Sequence, residues 1–258
     1  MPDRTSYPAG AFSWAELATS DPEAAKAFYA TVLGWSYDDQ PLPGGGTYSM
    51  AQIRGRSAAS IFAGDPQQGP PHWNAYVTVA SVEDAAARAA ALGATVLAPP
   101  FHVMDAGRMT VLRDPSGVVV SLWEPARSIG AEVVNEHGAM TWNELATRDP
   151  EAAIGFWTEL LGWRFDRIEQ APMPMWSITL DGRGNGTLRE MGAETPAEAP
   201  PHVLTYFAVD DMATAVTAAE AGGAIRLAGP QVVPAGTFAV LADAQGAPFA
   251  LFEGELDD

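Results

Sequence analysis

The chain contains no cysteine. That absence removes disulfides, thiolate nucleophiles and thiolate-bound metals together, and it fits a cytoplasmic protein. Cations are scarce as well: 14 Lys and Arg stand against 32 Asp and Glu, for a net charge of -18. Phosphate recognition rests on clustered Lys and Arg, so neither nucleic acid nor an anionic membrane is expected as a partner. The acidic surface reads instead as a device for solubility. No run approaches the ~20 unbroken apolar residues of a membrane helix. The segment Met1 to Gly10 lacks the apolar stretch of a signal peptide. No Ser-His-Asp order, phosphate loop or dinucleotide fingerprint is found.

What is present is a duplication. Trp14-Ala15-Glu16-Leu17-Ala18-Thr19 followed by Asp21-Pro22-Glu23-Ala24-Ala25 returns as Trp142-Asn143-Glu144-Leu145-Ala146-Thr147 followed by Asp149-Pro150-Glu151-Ala152-Ala153. Leu33-Gly34-Trp35 returns as Leu161-Gly162-Trp163, and Pro70-Pro71-His72 as Pro200-Pro201-His202. Asp114-Pro115-Ser116-Gly117 pairs with Asp243-Ala244-Gln245-Gly246. The offset drifts only from 128 to 130 residues over most of a copy. The boundary falls between Ala126 and Glu136, giving an N-terminal copy 1–128 and a C-terminal copy 129–258.

Each copy divides again. Residues Phe12 to Thr19 alternate as a strand does, with Trp14 and Glu16 on one face and Ala15 and Leu17 on the other. Asp21-Pro22 supplies an N-cap and a first-turn Pro for a helix that stops at Gly34. Strand-like pieces follow at Trp35 to Tyr37, Thr47 to Ile53 and Ala58 to Ala63. Trp73 to Val79 opens the second half, Ser81 caps an Ala-rich helix ending at Gly93, and strands follow near Thr95 to Leu97, Met109 to Leu112 and Val118 to Trp123. Strand, helix and three strands, four times over, predict an α+β protein of four βαβββ units.

With its Asp-Pro-Glu-Ala-Ala, Phe28-Tyr29, Leu33-Gly34-Trp35 and Asp114-Pro115-Ser116-Gly117 segments, this chain resembles the vicinal oxygen chelate superfamily along nearly its whole length. That group includes glyoxalase I, extradiol dioxygenases, and fosfomycin and bleomycin resistance proteins. It is also similar to the two-domain glyoxalase-like proteins of actinobacteria, many labelled "hydroxylase". The resemblance implies two tandem glyoxalase-like domains, each a cup-shaped mixed sheet with helices on its outside.

It also implies where a metal would sit. The first-strand ligand position falls on Trp14 and Trp142, the one opening the second half on Asn74 and Leu204, and the last-strand Glu on Ser121 and Ala250. None is a His or a carboxylate, the donors such metals prefer in a protein without cysteine. No metal or other cofactor is therefore expected. A weaker alternative pairs His72 with Glu16 and His202 with Glu144. Glu124 and Glu253 are expected to point out of the cup.

Within the cups, Trp14, Glu16, Asn74, Tyr76 and Ser121 are expected to face inward in the first copy, and Trp142, Glu144, Tyr206 and Ala250 in the second. His72 and His202 would stand at the strand starts. Aromatic walls with a few polar groups suit a small-molecule pocket, though they also suit a packed core. Glu16 and Glu144 are candidate acid or base groups, or else carboxylates bonded to backbone amides or to an Arg on a neighbouring strand. The loops Pro41 to Gly46 and Ala171 to Trp176 would gate the cups, with Met175 and Trp176 as an adaptable apolar surface. Three functions stay open: binding of a hydrophobic or aromatic small molecule, metal-free isomerase, cyclase or lyase chemistry at Glu16 or Glu144, and divalent-metal glyoxalase or dioxygenase chemistry. The chain would act as a monomer or a homodimer.

Overall fold

The computed structural model describes residues 3–42, 45–67, 69–193 and 195–256. Pro43 and Gly44 of the first expected gate loop, and Met1 and Pro2 of the N-terminal segment, lie outside the described residues. The order within the first copy is β1 (Phe12–Thr19), α1 (Pro22–Leu33), β2 (Ser36–Pro41), β3 (Thr47–Ile53), β4 (Arg56–Ala63), β5 (His72–Thr78), α2 (Val82–Ala91), β6 (Thr95–Val103), β7 (Gly107–Arg113) and β8 (Val119–Pro125). The second repeats it as β9 (Met140–Thr147), α3 (Pro150–Leu161), β10 (Arg164–Arg167), β11 (Met175–Leu180), β12 (Arg183–Glu190), β13 (His202–Ala208), α4 (Met212–Ala221), β14 (Ile225–Val233), β15 (Gly236–Ala242) and β16 (Pro248–Gly254).

Local chemistry sets the helix ends. The Asp21 carboxylate accepts from the Ala24 N–H at 3.0 Å, Asp149 does the same for Ala152 at 3.0 Å, and Gly34 and Gly162 close their helices with φ near +72° and +73°. A residue with a Cβ resists that left-handed conformation. One element is longer than the sequence suggests. Strand β6 runs through Pro99-Pro100 to Val103 with its pairing shifted between Ala98 and Phe101. Proline breaks a central strand but is tolerated at an edge, and β6 is an edge.

The sheets run β2-β3-β4-β1-β5-β8-β7-β6 and β10-β11-β12-β9-β13-β16-β15-β14. Each is mixed: β1/β4 and β5/β8 are parallel, and the central β1/β5 pair is antiparallel. Both βαβββ units of a copy thus share one sheet.

Helix α1 lies against α4, and α2 against α3, so the helix-side faces of the copies meet and the cup faces turn away from each other. The contact is reciprocal. Tyr29 of α1 donates to Asp243 at 3.0 Å, and the Trp157 indole of α3 donates to Asp114 at 2.8 Å. Trp35 donates to the Gly138 carbonyl at 2.8 Å, and Trp163 to that of Gly10 at 2.7 Å. Each of the two main apolar clusters draws on both copies. One joins Leu17, Phe28 and Trp73 to Phe207, Met212 and Phe249, and the other joins Val77 and Leu122 to Leu145, Trp157 and Trp163. Among the described residues, no helix is long and apolar enough to cross a membrane.

Candidate functional site

The cup faces are built from rungs, because residues paired in register across a sheet project to the same side. Three rungs matter in the first copy: Tyr48–Phe62–Ala18–His72, then Met50–Ser60–Glu16–Asn74, then Trp14–Tyr76–Ser121–Val111. The second copy has Met175–Arg189–Ala146–His202, then Ser177–Thr187–Glu144–Leu204, then Trp142–Tyr206–Ala250–Val240. All the expected site residues but one fall on these rungs. The exception is Trp176. It pairs with Leu188 of the helix-side core and lies under the Arg167 guanidinium, 5.6 Å from its ring centre, because its neighbour Met175 takes the cup side of the pleat.

In the first cup, Glu16 is part-buried and held by two phenols. Tyr48 donates to Glu16 Oε2 and Tyr76 to Oε1, each at 2.8 Å, while the Ser60 hydroxyl donates to Tyr48 at 2.7 Å. Burial pushes the Glu16 carboxyl above its ordinary range, against the opposing pull of the two hydroxyls and of His72. Burial and the neighbouring Glu16 charge also push both phenols well above the usual tyrosine value, so both keep their protons and act as donors. Trp14 and Tyr76 are buried and pack with Trp123 and Met109 as the apolar part of the cup. Asn74 lies beside Glu16 on its rung.

The second cup keeps the carboxylate but changes its partners. Arg189 Nε donates to Glu144 Oε1 at 2.8 Å, and the Tyr206 hydroxyl reaches Oε2 only at 3.4 Å. Trp142 turns its indole N–H to Thr187 at 3.2 Å. Leu204, Tyr206 and Ala250 form an apolar cluster with Trp142, Phe238, Val240 and Phe252.

His72 and His202 each place Nδ1 against the carbonyl two residues back, at 2.8 Å to Pro70 and 2.9 Å to Pro200. A carbonyl only accepts, so Nδ1 carries the proton and Nε2 remains open. Burial lowers the His202 pKa and favours its neutral form. Glu124 and Glu253 indeed leave the cups: they accept from the Val82 and Met212 N–H groups at 2.9 Å and 2.7 Å, at the starts of α2 and α4.

These donors do not fit the superfamily's divalent metal. Borderline ions take at least three His, carboxylate or thiolate ligands, and no cluster of three such residues occurs among the described residues. Each cup offers one Glu and one His. Both Glu16 oxygens are already engaged by hydroxyls, and Glu144 is engaged by a guanidinium that would repel a cation. Two open depressions, one at Gly162, Arg164 and Asp181 and one between the copies at Gly10, Ser81, Arg88 and Leu161, lie outside both cups.

Sequence reasoning missed Tyr48, Ser60, Phe62 and Arg189. An Arg on a neighbouring strand was one foreseen partner for these carboxylates, and Arg189 fills that place in the second copy alone.

Comparison with known proteins agrees with this architecture. The profile of the glyoxalase/bleomycin resistance protein/dioxygenase superfamily matches residues 11–122, and that of the glyoxalase-like domain matches residues 139–252. The chain is 41% identical to CFP32 of Mycobacterium tuberculosis, whose name provisionally makes it a glyoxylase, over 98% of each chain. It is 31% identical to the anthracycline biosynthesis protein DauV of Streptomyces sp. strain C5, covering 96% of this chain and 95% of DauV. In fold it resembles the Mn(II)-bound glyoxalase of Novosphingobium aromaticivorans (TM-score 0.69, 16% identity, 97% of this chain and 84% of that one). It also resembles the 2,3-dioxygenase LapB of Pseudomonas sp. KL28 (TM-score 0.67, 17% identity, 97% and 95%). The chain belongs to the glyoxalase/bleomycin resistance protein/dioxygenase superfamily.

Proposed function

We propose that this chain is a small-molecule-binding protein that takes a hydrophobic or aromatic metabolite or drug in its N-terminal cup without a metal. The observation that carries this reading is Glu16, clamped between the Tyr48 and Tyr76 hydroxyls. Where a metal-binding relative needs open donors, this cup has a closed hydrogen-bonded group beside an apolar wall of Trp14 and Tyr76. Such a wall with a few placed polar groups binds flat apolar molecules and orients them. His72, Asn74 and Ser121 supply the remaining polar contacts. The 31% identity to a protein of anthracycline biosynthesis supports an aromatic ligand from secondary metabolism. One chain completes both sheets, so a monomer suffices to form either cup.

A second reading rests on the raised Glu16 carboxyl. A carboxyl held above its ordinary range gives and takes protons nearer neutrality, so Glu16 would serve as acid or base in an isomerase, cyclase or lyase step. One experiment serves both readings. Calorimetric titration with a panel of polycyclic aromatic compounds, in the presence of a chelator, should find saturable binding. Glu16→Gln should keep binding and abolish any turnover. Failure of the whole panel would overturn the binding reading, as would binding that appears only after Zn(II), Ni(II), Mn(II) or Fe(II) is added. Full turnover by Glu16→Gln would remove the acid-base role.

A further inference from the structure

The second cup holds a cation with unused donors. Arg189 spends one donor, Nε, on Glu144. Among the described residues neither of its Nη nitrogens has a hydrogen-bond partner, and neither is sealed from solvent. A guanidinium has five N–H groups in a planar fork, so four remain to be used. The side chain is only 20% exposed, which makes those unused donors part of the cup wall and not a surface fringe.

The first copy shows that this arginine is not needed to house the carboxylate. There Glu16 occupies the same rung position without a cation, held by hydroxyls, and Phe62 stands where the second copy has Arg189. Arg189 is thus a charge added to one cup only, in a chain with few cations to place. Its carboxylate partner fixes the fork by the Nε edge and leaves the Nη edge presented. Through Glu144 it adjoins Tyr206, whose hydroxyl lies 3.4 Å from the other carboxylate oxygen and whose ring clusters with Trp142 and Phe238. His202 shares its rung, with burial favouring its neutral form.

We propose that the C-terminal cup is a carboxylate-binding site, in which the two Nη nitrogens of Arg189 take the carboxylate of an aromatic acid while Trp142, Tyr206 and Phe238 hold its ring. The fork geometry matches a carboxylate with two parallel hydrogen bonds, and charge assistance makes them strong. This assignment is independent of what the first cup binds.

The test uses 2-naphthoate and its uncharged counterpart 2-naphthamide, titrated calorimetrically into the full chain. The wild type should bind the acid at least about tenfold more tightly than the amide. The paired variant Glu144→Gln/Arg189→Met removes both charges together, so no buried ion is orphaned, and it should erase that preference. Arg189→Lys keeps the charge and the Glu144 pairing but loses the fork, and should cost about tenfold for the acid. If the paired variant fails to fold, Arg189→Lys decides alone. Equal affinity for acid and amide in the wild type, no binding of the acid, or undiminished acid binding by a folded variant would each overturn the assignment.

Discussion

In the first copy Phe62 stands on the rung beside Glu16; in the second, Arg189 stands on the rung beside Glu144. Around that exchange the other partners have changed too: at equivalent rungs Met175 stands in place of Tyr48, Leu204 in place of Asn74, and Ala250 in place of Ser121. Trp14 and Trp142, Glu16 and Glu144, His72 and His202, and Tyr76 and Tyr206 are unchanged. The conserved set builds the floor, while the changed set decides what the carboxylate meets. A Glu held by neutral hydroxyls, and raised above its ordinary range, can still exchange a proton. An ion-paired Glu has become a support for its arginine. Duplication has let one copy keep a polar handle while the other acquired a charged one.

The largest effect expected is from breaking the ion pair on one side. Glu144→Ala should lower stability by about 2 kcal/mol, since it leaves a largely buried arginine side chain without its carboxylate partner, and thermal or urea denaturation will measure it. Arg189→Phe copies the first cup into the second and should be nearly as costly at neutral pH. A deficit well below that of Glu144→Ala would show that packing, not charge, separates the two cups.

The hydroxyl clamps give smaller effects. Tyr48→Phe removes a 2.8 Å bond to Glu16 and should cost about 1 kcal/mol. Tyr206→Phe removes only a 3.4 Å contact and should cost at most about 0.5 kcal/mol. Equal losses would mean that the two carboxylates are held alike. The smallest effect is a slope. Because the folded state raises the Glu16 pKa, it binds that proton more tightly than the unfolded chain does. From the ordinary carboxylate pKa upward, the wild type should therefore lose stability with rising pH relative to Glu16→Gln. Denaturation series at several pH values will give the sign, and an opposite slope would place Glu16 among stabilised carboxylates.

Much of this was legible in the sequence because it is local or periodic. Asp21-Pro22 and Gly34 mark a helix at both ends, and alternation along Phe12 to Thr19 puts Trp14 and Glu16 on one face. The repeat then doubles every such signal. Partners of the carboxylates were hidden because they depend on register between distant strands. Tyr48 reaches Glu16 across β4, through a parallel β1/β4 pairing that closes only after a helix and two strands have intervened. Trp176, expected with Met175 in a gate loop, lies instead in β11, where one residue of pleat phase sets it on the opposite face from Met175. The extent of β6 was missed because Pro99-Pro100 reads as a break until the strand is known to be an edge.

The reciprocal contacts between the copies carry a consequence for how the chain holds together. Tyr29 with Asp243, Trp157 with Asp114, and the two shared apolar clusters bind one half to the other, and the connecting segment adds to them through Ala131 and Glu132, whose N–H groups donate to the Ser13 and Ser57 carbonyls. The peptide link between the halves is then a matter of local concentration. Two separately expressed polypeptides, residues 1–128 and 129–258, should find each other and rebuild the protein as a complementing pair, while either alone would leave half of each shared cluster in water.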